Sequence, residues 1–434
     1  MNIKNENNNA LESIEKTEDS DNLENTTDTD NITENLIEKP ETDEEKTNEF
    51  VNEISTEKIQ EALKRQNPKN RRKSTIISVV LLFVNLFFMF FIVKNLIAEL
   101  DGDIFYAFKS QGFKLWWILA GVIAYVLFML LQTMEYKLLI SNLSSLPNKR
   151  AWKVSYDLAI VGRYYDNLTP LSVGGEPMQI IALSKEKDHV SPAVATGIPV
   201  IKMLVNTVIS AVLAVFFFAF GLPQLIETTA LNEILVFLLE ILGVIGVIVT
   251  SFSALFMFFL STGTLFTRSF IGSILRFLYK IKIVKNYRKT YRKILNQVAE
   301  YKFSMKYLMS HKKVFFKLFF MCLLDNIIYS LFPFFVVLAF APSLEISPVY
   351  FMFICMVKYH LATMASCFIP LPGGTGLMEI SFIILFGLDV GKSIVWALLV
   401  WRFLSYYLIL LHGFVHELVK IFTNISKDKK QNKS

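Results

Sequence analysis

Cysteine, charge and, at the N-terminus, glycine are scarce in this chain of 434 residues. The three cysteines, Cys322, Cys355 and Cys367, all lie inside apolar segments. None has a partner at metal-ligand spacing, so disulfides and a zinc site are not expected and the thiols read as packing residues. Charged residues make up 19% of the sequence, below the roughly one quarter usual for a soluble domain, while 53% of residues are hydrophobic and 39 are phenylalanine. This balance excludes a soluble globular enzyme, a disulfide scaffold and a coiled coil. Residues 1–67 contain no glycine and one aromatic residue, Phe50, and no apolar run precedes residue 74. No signal peptide is therefore expected. Walker, dinucleotide-binding and nucleophile-elbow patterns are absent, and no cofactor is expected.

The charges that are present are unevenly placed. Residues 1–67 hold 19 acidic and 7 basic residues, a net of −12, whereas the rest of the chain is +18. An acidic segment so poor in apolar residues cannot offset the entropy of ordering and is expected to be a disordered cytoplasmic extension, with a short amphipathic helix at 49–66 as the alternative for its end. Residues 68–423 form the expected membrane domain and 424–434 a basic tail.

About 20 apolar residues cross the hydrocarbon core. Such runs fall at 74–96, 115–136, 197–221, 232–260, 314–340, 349–369 and 393–419. Basic residues mark cytoplasmic flanks. Lys64, Arg65, Lys69, Arg71, Arg72 and Lys73 precede the first run, residues 262–313 hold 13 basic residues against Glu300, and Lys427, Lys429, Lys430 and Lys433 follow the last run. Both termini are thus expected in the cytoplasm, with residues 97–113 and 222–231 outside. Parity then requires 151–190 to enter the membrane and return, and the short run 377–388 to carry the chain outward. Both stretches are interrupted by glycine and proline. Broken helices survive in a membrane only where protein or water shields the backbone, and they point to transport sites. The expected fold is an all-α polytopic membrane protein with about eight crossings and re-entrant segments.

The two interruptions resemble each other. P-L-S-V-G-G-E-P-M-Q-I at 170–180 matches P-L-P-G-G-T-G-L-M-E-I at 370–380, pairing Pro170 with Pro370, Leu171 with Leu371, Gly174 with Gly374, Met178 with Met378 and Ile180 with Ile380. Gln179 stands opposite Glu379, and the same offset of 200 residues pairs Lys202 with Arg402. The two copies are approached from opposite sides of the membrane, the pattern of an inverted-topology repeat with a site near the midplane.

The segments G-R-Y-Y-D-N-L-T-P-L-S-V-G-G-E-P at 162–177 and P-L-P-G-G-T-G-L-M-E at 370–379 resemble the two signatures of the lysylphosphatidylglycerol synthase transmembrane, or flippase-like, family, over roughly residues 74–423. Some members join this membrane region to a soluble aminoacyl transferase that uses lysyl-tRNA. In those the membrane part is associated with moving aminoacylated phosphatidylglycerol between leaflets. Other members consist of the membrane region alone and are linked to lipids or lipid-linked sugars. The resemblance implies a lipid translocase. No transferase sequence follows the last span here, so enzymatic activity is not expected of this chain. A secondary transporter of a small anion, or the membrane partner of a separate synthase chain, are the alternatives.

Candidate headgroup ligands follow from the chemistry at the two motifs. Gly174-Gly175 and Gly373-Gly374-Thr375-Gly376 each precede a short helical run, and the glycines with Pro170, Pro370 and Pro372 shape turns whose helix N-termini favour anions. Arg163, Lys202 and Arg402 are cations able to neutralise a phosphate, Arg by a bidentate fork. Arg402 and Lys202 are expected to flank a cavity, one from each half. The bland alternative is that the glycines permit helix crossing and the cations snorkel to an interface. Glu379 is a helix cap, a partner for Arg402, a proton carrier or a contact for an ammonium group. Asp166 with Asn167, Glu176 with Gln179, Asp325, and Lys358 with His360 complete the polar set, with mutual pairing the alternative for each.

His412 and His416 lie one turn apart without a third ligand and read as interfacial histidines. Tyr279, Tyr287, Tyr291 and Tyr301 among the cations of 262–313 resemble a nucleic-acid patch. Their place between two spans favours anionic lipid headgroups over nucleic acid. A second copy of the chain is a further candidate partner. Cysteine labelling of intact cells is expected to modify Thr228→Cys and to spare Ser273→Cys; the opposite pattern overturns the orientation.

Overall fold

A computed structural model of the chain describes residues 113–225 apart from 187, 233–280 apart from 263, 311–341 and 346–431, with isolated positions between 83 and 97 and between 286 and 310. The acidic extension, most of the first expected span at 74–96, most of both expected outer loops and most of 281–310 lie outside the described residues.

Every regular element among the described residues is helical. Helices α1 (Leu115–Leu143) and α2 (Asn148–Leu168) form a hairpin. Its first arm is closed by the Ser144 hydroxyl, which donates to the Ile140 carbonyl at 2.8 Å. Pro147, with φ −57° and ψ 143°, gives the extended backbone from which α2 starts. A 3-10 turn at Pro170–Ser172 leads into the short α3 (Gly175–Leu183). Then come α4 (Pro192–Leu225), α5 (Glu233–Thr262) and α6 (Thr264–Lys280). Proline opens α4, where a missing N–H costs nothing. The chain continues through α7 (Lys312–Ser330), α8 (Phe332–Phe340) and α9 (Pro348–Ser366). A second 3-10 turn, Pro372–Gly374, precedes α10 (Leu377–Val390). Finally α11 (Ile394–Arg402) passes through a π-helical turn at Phe403–Tyr407 into α12 (Leu408–Gln431), which takes in residues that composition assigns to a basic tail.

Six helical stretches among the described residues are long and apolar enough to cross a membrane: Leu115–Leu143, Val194–Pro223, Ile234–Phe256, Lys312–Phe340, Pro348–Ser366 and Pro372–Lys420. They overlie the runs read from sequence beyond residue 113, and the chain is an all-α polytopic membrane protein. The last stretch would be about 74 Å long as one straight helix, more than twice the hydrocarbon thickness. It breaks at Gly391, where φ is 54°, so α10 and the α11–α12 rod are separate helices.

The outer surface is apolar, as a lipid solvent requires: Trp116, Ile123, Phe237, Ile248 and Phe252 are all exposed. The interior is where the polar residues sit, with Gln132, Glu135, Gln179, Lys202, Asp325, Lys358, Glu379 and Arg402 buried. Lipid tails give helices no hydrophobic reason to associate, so close van der Waals approach has to do that work. Gly243 and Gly246 of α5 face α9, and a Cβ on Gly246 would stand 2.7 Å from the Met364 carbonyl carbon. Gly246→Ala is expected to push the two backbones apart and cost about 1–3 kcal/mol, read as earlier thermal unfolding in detergent. Gly272→Ala, whose Cβ would meet nothing nearer than 3.7 Å, is expected to be silent in the same assay.

Candidate functional site

The site is built on α2, which places Arg163, Asp166 and Asn167 at i, i+3 and i+4 and so along one face. Arg163 and Asp166, with Glu176 and Gln179 of α3, Gln132 and Tyr136 of α1 and Lys202 and Asn206 of α4, line a cavity of about 70 Å³. Pro199, a residue without an N–H two turns into α4, forms part of the same wall. That volume suits a few water molecules, not a lipid headgroup.

Each cation at this cavity has a carboxylate partner. The Lys202 ammonium is 2.9 Å from Glu135 Oε2, donates to Gln132 Oε1 and lies 4.1 Å from the centre of the Tyr136 ring. Gln132 Nε2 in turn donates to Asp325 Oδ2 at 2.5 Å. The Arg163 guanidinium is 3.6 Å from that same carboxylate oxygen and rests over the Phe128 ring. Gln179 donates to the Tyr136 hydroxyl at 2.6 Å and to the Leu158 carbonyl at 3.0 Å, which fixes α3 against the α1–α2 hairpin. An isolated charge inside a membrane is expensive, so such groups pair and mark substrate or ion pathways.

The second motif forms its own cluster. Glu379 Oε1 is 2.6 Å from an Arg402 terminal nitrogen, while Glu379 Oε2 accepts the Gly376 N–H at 2.6 Å. One carboxylate thus caps the first turn of α10 and neutralises Arg402, two of the roles the sequence left open. Arg402 also donates to the Gly373 carbonyl at 3.2 Å. Arg402 does not line the cavity beside Lys202; the two cations belong to neighbouring clusters, each with its own carboxylate.

The clusters meet at the two turns. The 3-10 turn at Pro170–Ser172 packs on the one at Pro372–Gly374, and the Tyr406 hydroxyl, from the π-helical turn, donates to the Asn167 carbonyl at 3.0 Å. The motif glycines do different jobs. Gly373 and Gly374 adopt φ of 64° and 63°, the left-handed backbone that favours glycine. In the first motif Leu171 and Ser172 take that conformation, at φ 57° and 52°, although both carry a Cβ. Gly174, at φ −89°, and Gly175 serve close approach of α3 to α2. A Cβ on Gly175 would stand 2.5 Å from the Asp166 carboxylate, which accepts the Gly175 N–H at 2.8 Å. Each short helix therefore begins with a backbone N–H held by a carboxylate, a favourable placement for the helix dipole.

The other polar groups pair structurally. Lys358 meets Asp389 at 2.7 Å, not His360, whose ring stacks on Phe217 with centroids 4.6 Å apart. His412 sits between the hydroxyls of Tyr125 and Tyr156, at 2.8 and 2.9 Å, and His416 contacts Asp157 at 2.7 Å. No group of three metal-ligating side chains occurs among the described residues. Glu135, Gln132, Asn206 and Asn326 were not singled out from sequence; Asn326 Nδ2 donates to Asn206 Oδ1 at 2.9 Å. Their signal was available, since each interrupts an otherwise apolar run.

Removing one member of a buried ion pair strands the other. Arg402→Ala is expected to cost about 3–5 kcal/mol, seen as a lower unfolding temperature in detergent, whereas Glu379→Gln combined with Arg402→Met is expected to recover most of the loss. Equal stability of Arg402→Ala and the unmodified chain would show that the pair bears no load.

Residues 75–413, more than three quarters of the chain, match the family model described as the lysylphosphatidylglycerol synthase TM region. No curated protein matches the sequence. The paired Gly/Pro turns, the Lys202 and Arg402 clusters and every helix from α1 to α11 lie within the matched residues, and the chain belongs to the lysylphosphatidylglycerol synthase transmembrane-region family.

Proposed function

We propose that this protein moves an anionic lipid between membrane leaflets and that its headgroup phosphate passes through the cavity bounded by α1, α2, α3 and α4. The observation that carries this reading is the state of Arg163. Lys202 and Arg402 are 7% and 4% exposed and held by carboxylates at 2.9 and 2.6 Å, but Arg163 is 30% exposed and its nearest carboxylate oxygen is 3.6 Å away. A guanidinium with vacant donors on a cavity wall is suited to take a phosphate bidentately. Membership of the family supports a lipid substrate. The apolar outer surface supports one whose acyl chains stay in the bilayer while the headgroup crosses.

A cavity of about 70 Å³ is closed with respect to such a headgroup, so transport requires α3 to move away from α2 and α4. The turn that allows it is the one holding Leu171 and Ser172 in left-handed backbone. In this reading the breaks at 169–174 and 367–376 are re-entrant and related by a pseudo-two-fold axis in the membrane plane. Both termini face the cytoplasm of the cell membrane, and the basic stretch 262–313 lies on anionic headgroups.

The test is movement of fluorescent phosphatidylglycerol in proteoliposomes of phosphatidylcholine and phosphatidylglycerol. Arg163→Ala is expected to slow it about 10- to 100-fold, the worth of one charge-assisted hydrogen-bonding site. Arg163→Lys is expected to recover part of the rate, because an ammonium lacks the fork. Wild-type rates from Arg163→Ala overturn the reading.

A further inference from the structure

We infer that the headgroup travels with a proton, and that Asp325 carries it. The inference rests on the proposed passage of a phosphate past Arg163 and adds the coupling. Inside the helix bundle Lys202 pairs with Glu135 and Arg163 with Asp325, beside Asp166 and Glu176 of the same cavity wall. A phosphate that engages Arg163 replaces Asp325 as its counterion. Asp325 is 1% exposed. Once Arg163 turns to the phosphate, only the Gln132 amide is left as a donor to its carboxylate, while its Oδ1 has no hydrogen-bond partner at all. A buried carboxylate with one amide for company, and with the nearby Lys202 already committed to Glu135, cannot remain charged at reasonable cost.

Protonation at Oδ1 resolves this. One proton enters as one phosphate negative charge enters, the O–H bond forms on Asp325, and the net charge of the cluster is unchanged. Release of the headgroup returns Arg163 to Asp325 and expels the proton on the same side. The two therefore cross together, in the same direction.

The surroundings assign this role to Asp325 and not to its neighbours. On α1, Glu135 keeps Lys202 at 2.9 Å whether or not the phosphate is present, and Tyr136 lies beneath that same ammonium. On α2, Asp166 is held by the Gly175 N–H at 2.8 Å. On its own helix Asp325 has Cys322, one turn away, and Tyr329, whose hydroxyl is already committed to the Ser405 carbonyl at 2.7 Å. Tyr359 of α9 stands beyond Tyr329, with ring centroids 6.0 Å apart, and α8 brings no titratable side chain.

Proteoliposomes of phosphatidylcholine and phosphatidylglycerol, carrying fluorescent phosphatidylglycerol and a trapped pH dye, test this. With one proton per lipid, a gradient of one pH unit is expected to drive about tenfold accumulation of the labelled lipid in the leaflet facing the alkaline side. Lipid movement toward the alkaline lumen is expected to acidify it. Asp325→Asn is expected to abolish the accumulation, leaving equal labelling of both leaflets. Lipid movement in the unmodified protein that ignores the gradient and leaves the lumen pH unchanged overturns the coupling while sparing the translocase reading. Gradient-driven accumulation that persists in Asp325→Asn overturns the assignment to this carboxylate. No lipid movement at any pH removes both readings at once.

Discussion

Neutralising charge away from water is the constraint on which the interior of this protein depends. Among the described residues, cations between the helices pair with carboxylates: Lys202 with Glu135, Arg402 with Glu379, Lys358 with Asp389 and Arg163 with Asp325. The partners come from α4 and α1, α11 and α10, α9 and α10, and α2 and α7. Each pair therefore fixes the relative position of two helices that lipid alone would leave free to slide. The apolar packing fills the space between these pins, and small residues such as Gly246 bring helices together where no charge does.

Much of this was legible in the sequence. The apolar runs located the helices, and the Gly/Pro breaks located the two turns that the structure brings into contact. Glu379 and Arg402, 23 residues apart, pair as the cost of an unpaired intramembrane charge requires. The partner of Lys202 was not legible. The repeat offers Gln179 at the position matching Glu379, but a neutral amide cannot balance an ammonium. Lys202 turns instead to Glu135, a carboxylate visible as a break in an apolar run of a different helix but not assignable to Lys202 from sequence. Pairings of that kind depend on which helix becomes a neighbour, and local periodicity carries no information about it.

The glycines teach the same lesson from the backbone side. Gly174 and Gly175 sit where the repeat predicts a tight turn, yet the left-handed residues of the first motif are Leu171 and Ser172. The helix hairpin needs its missing side chains more than its conformational freedom, because Asp166 must reach the Gly175 N–H. The strain moves two residues upstream, where a Cβ in the left-handed region costs of order 1–2 kcal/mol. The second motif uses glycine at its own left-handed positions and carries no such strain. Two turns that look alike in sequence thus store different amounts of energy, and the turn with more stored energy joins two helices that line the cavity.

The middle of α2 has a consequence for how the molecule could move. Asp157 there is gripped by two residues of α12, His416 at 2.7 Å and Lys420. The adjacent Tyr156 holds His412, one turn back along α12, and Gly413 lets α12 lie against the Tyr164 ring. Separating these helices would strand a carboxylate and open a tightly packed seam. α2 comes from the first copy of the repeat and α12 from the end of the second, so they ride as one body across the boundary between the copies. In the proposed transport, then, the line of slip does not follow the two sequence repeats; it runs beside α3, between a frame that contains pieces of both halves and the short helix.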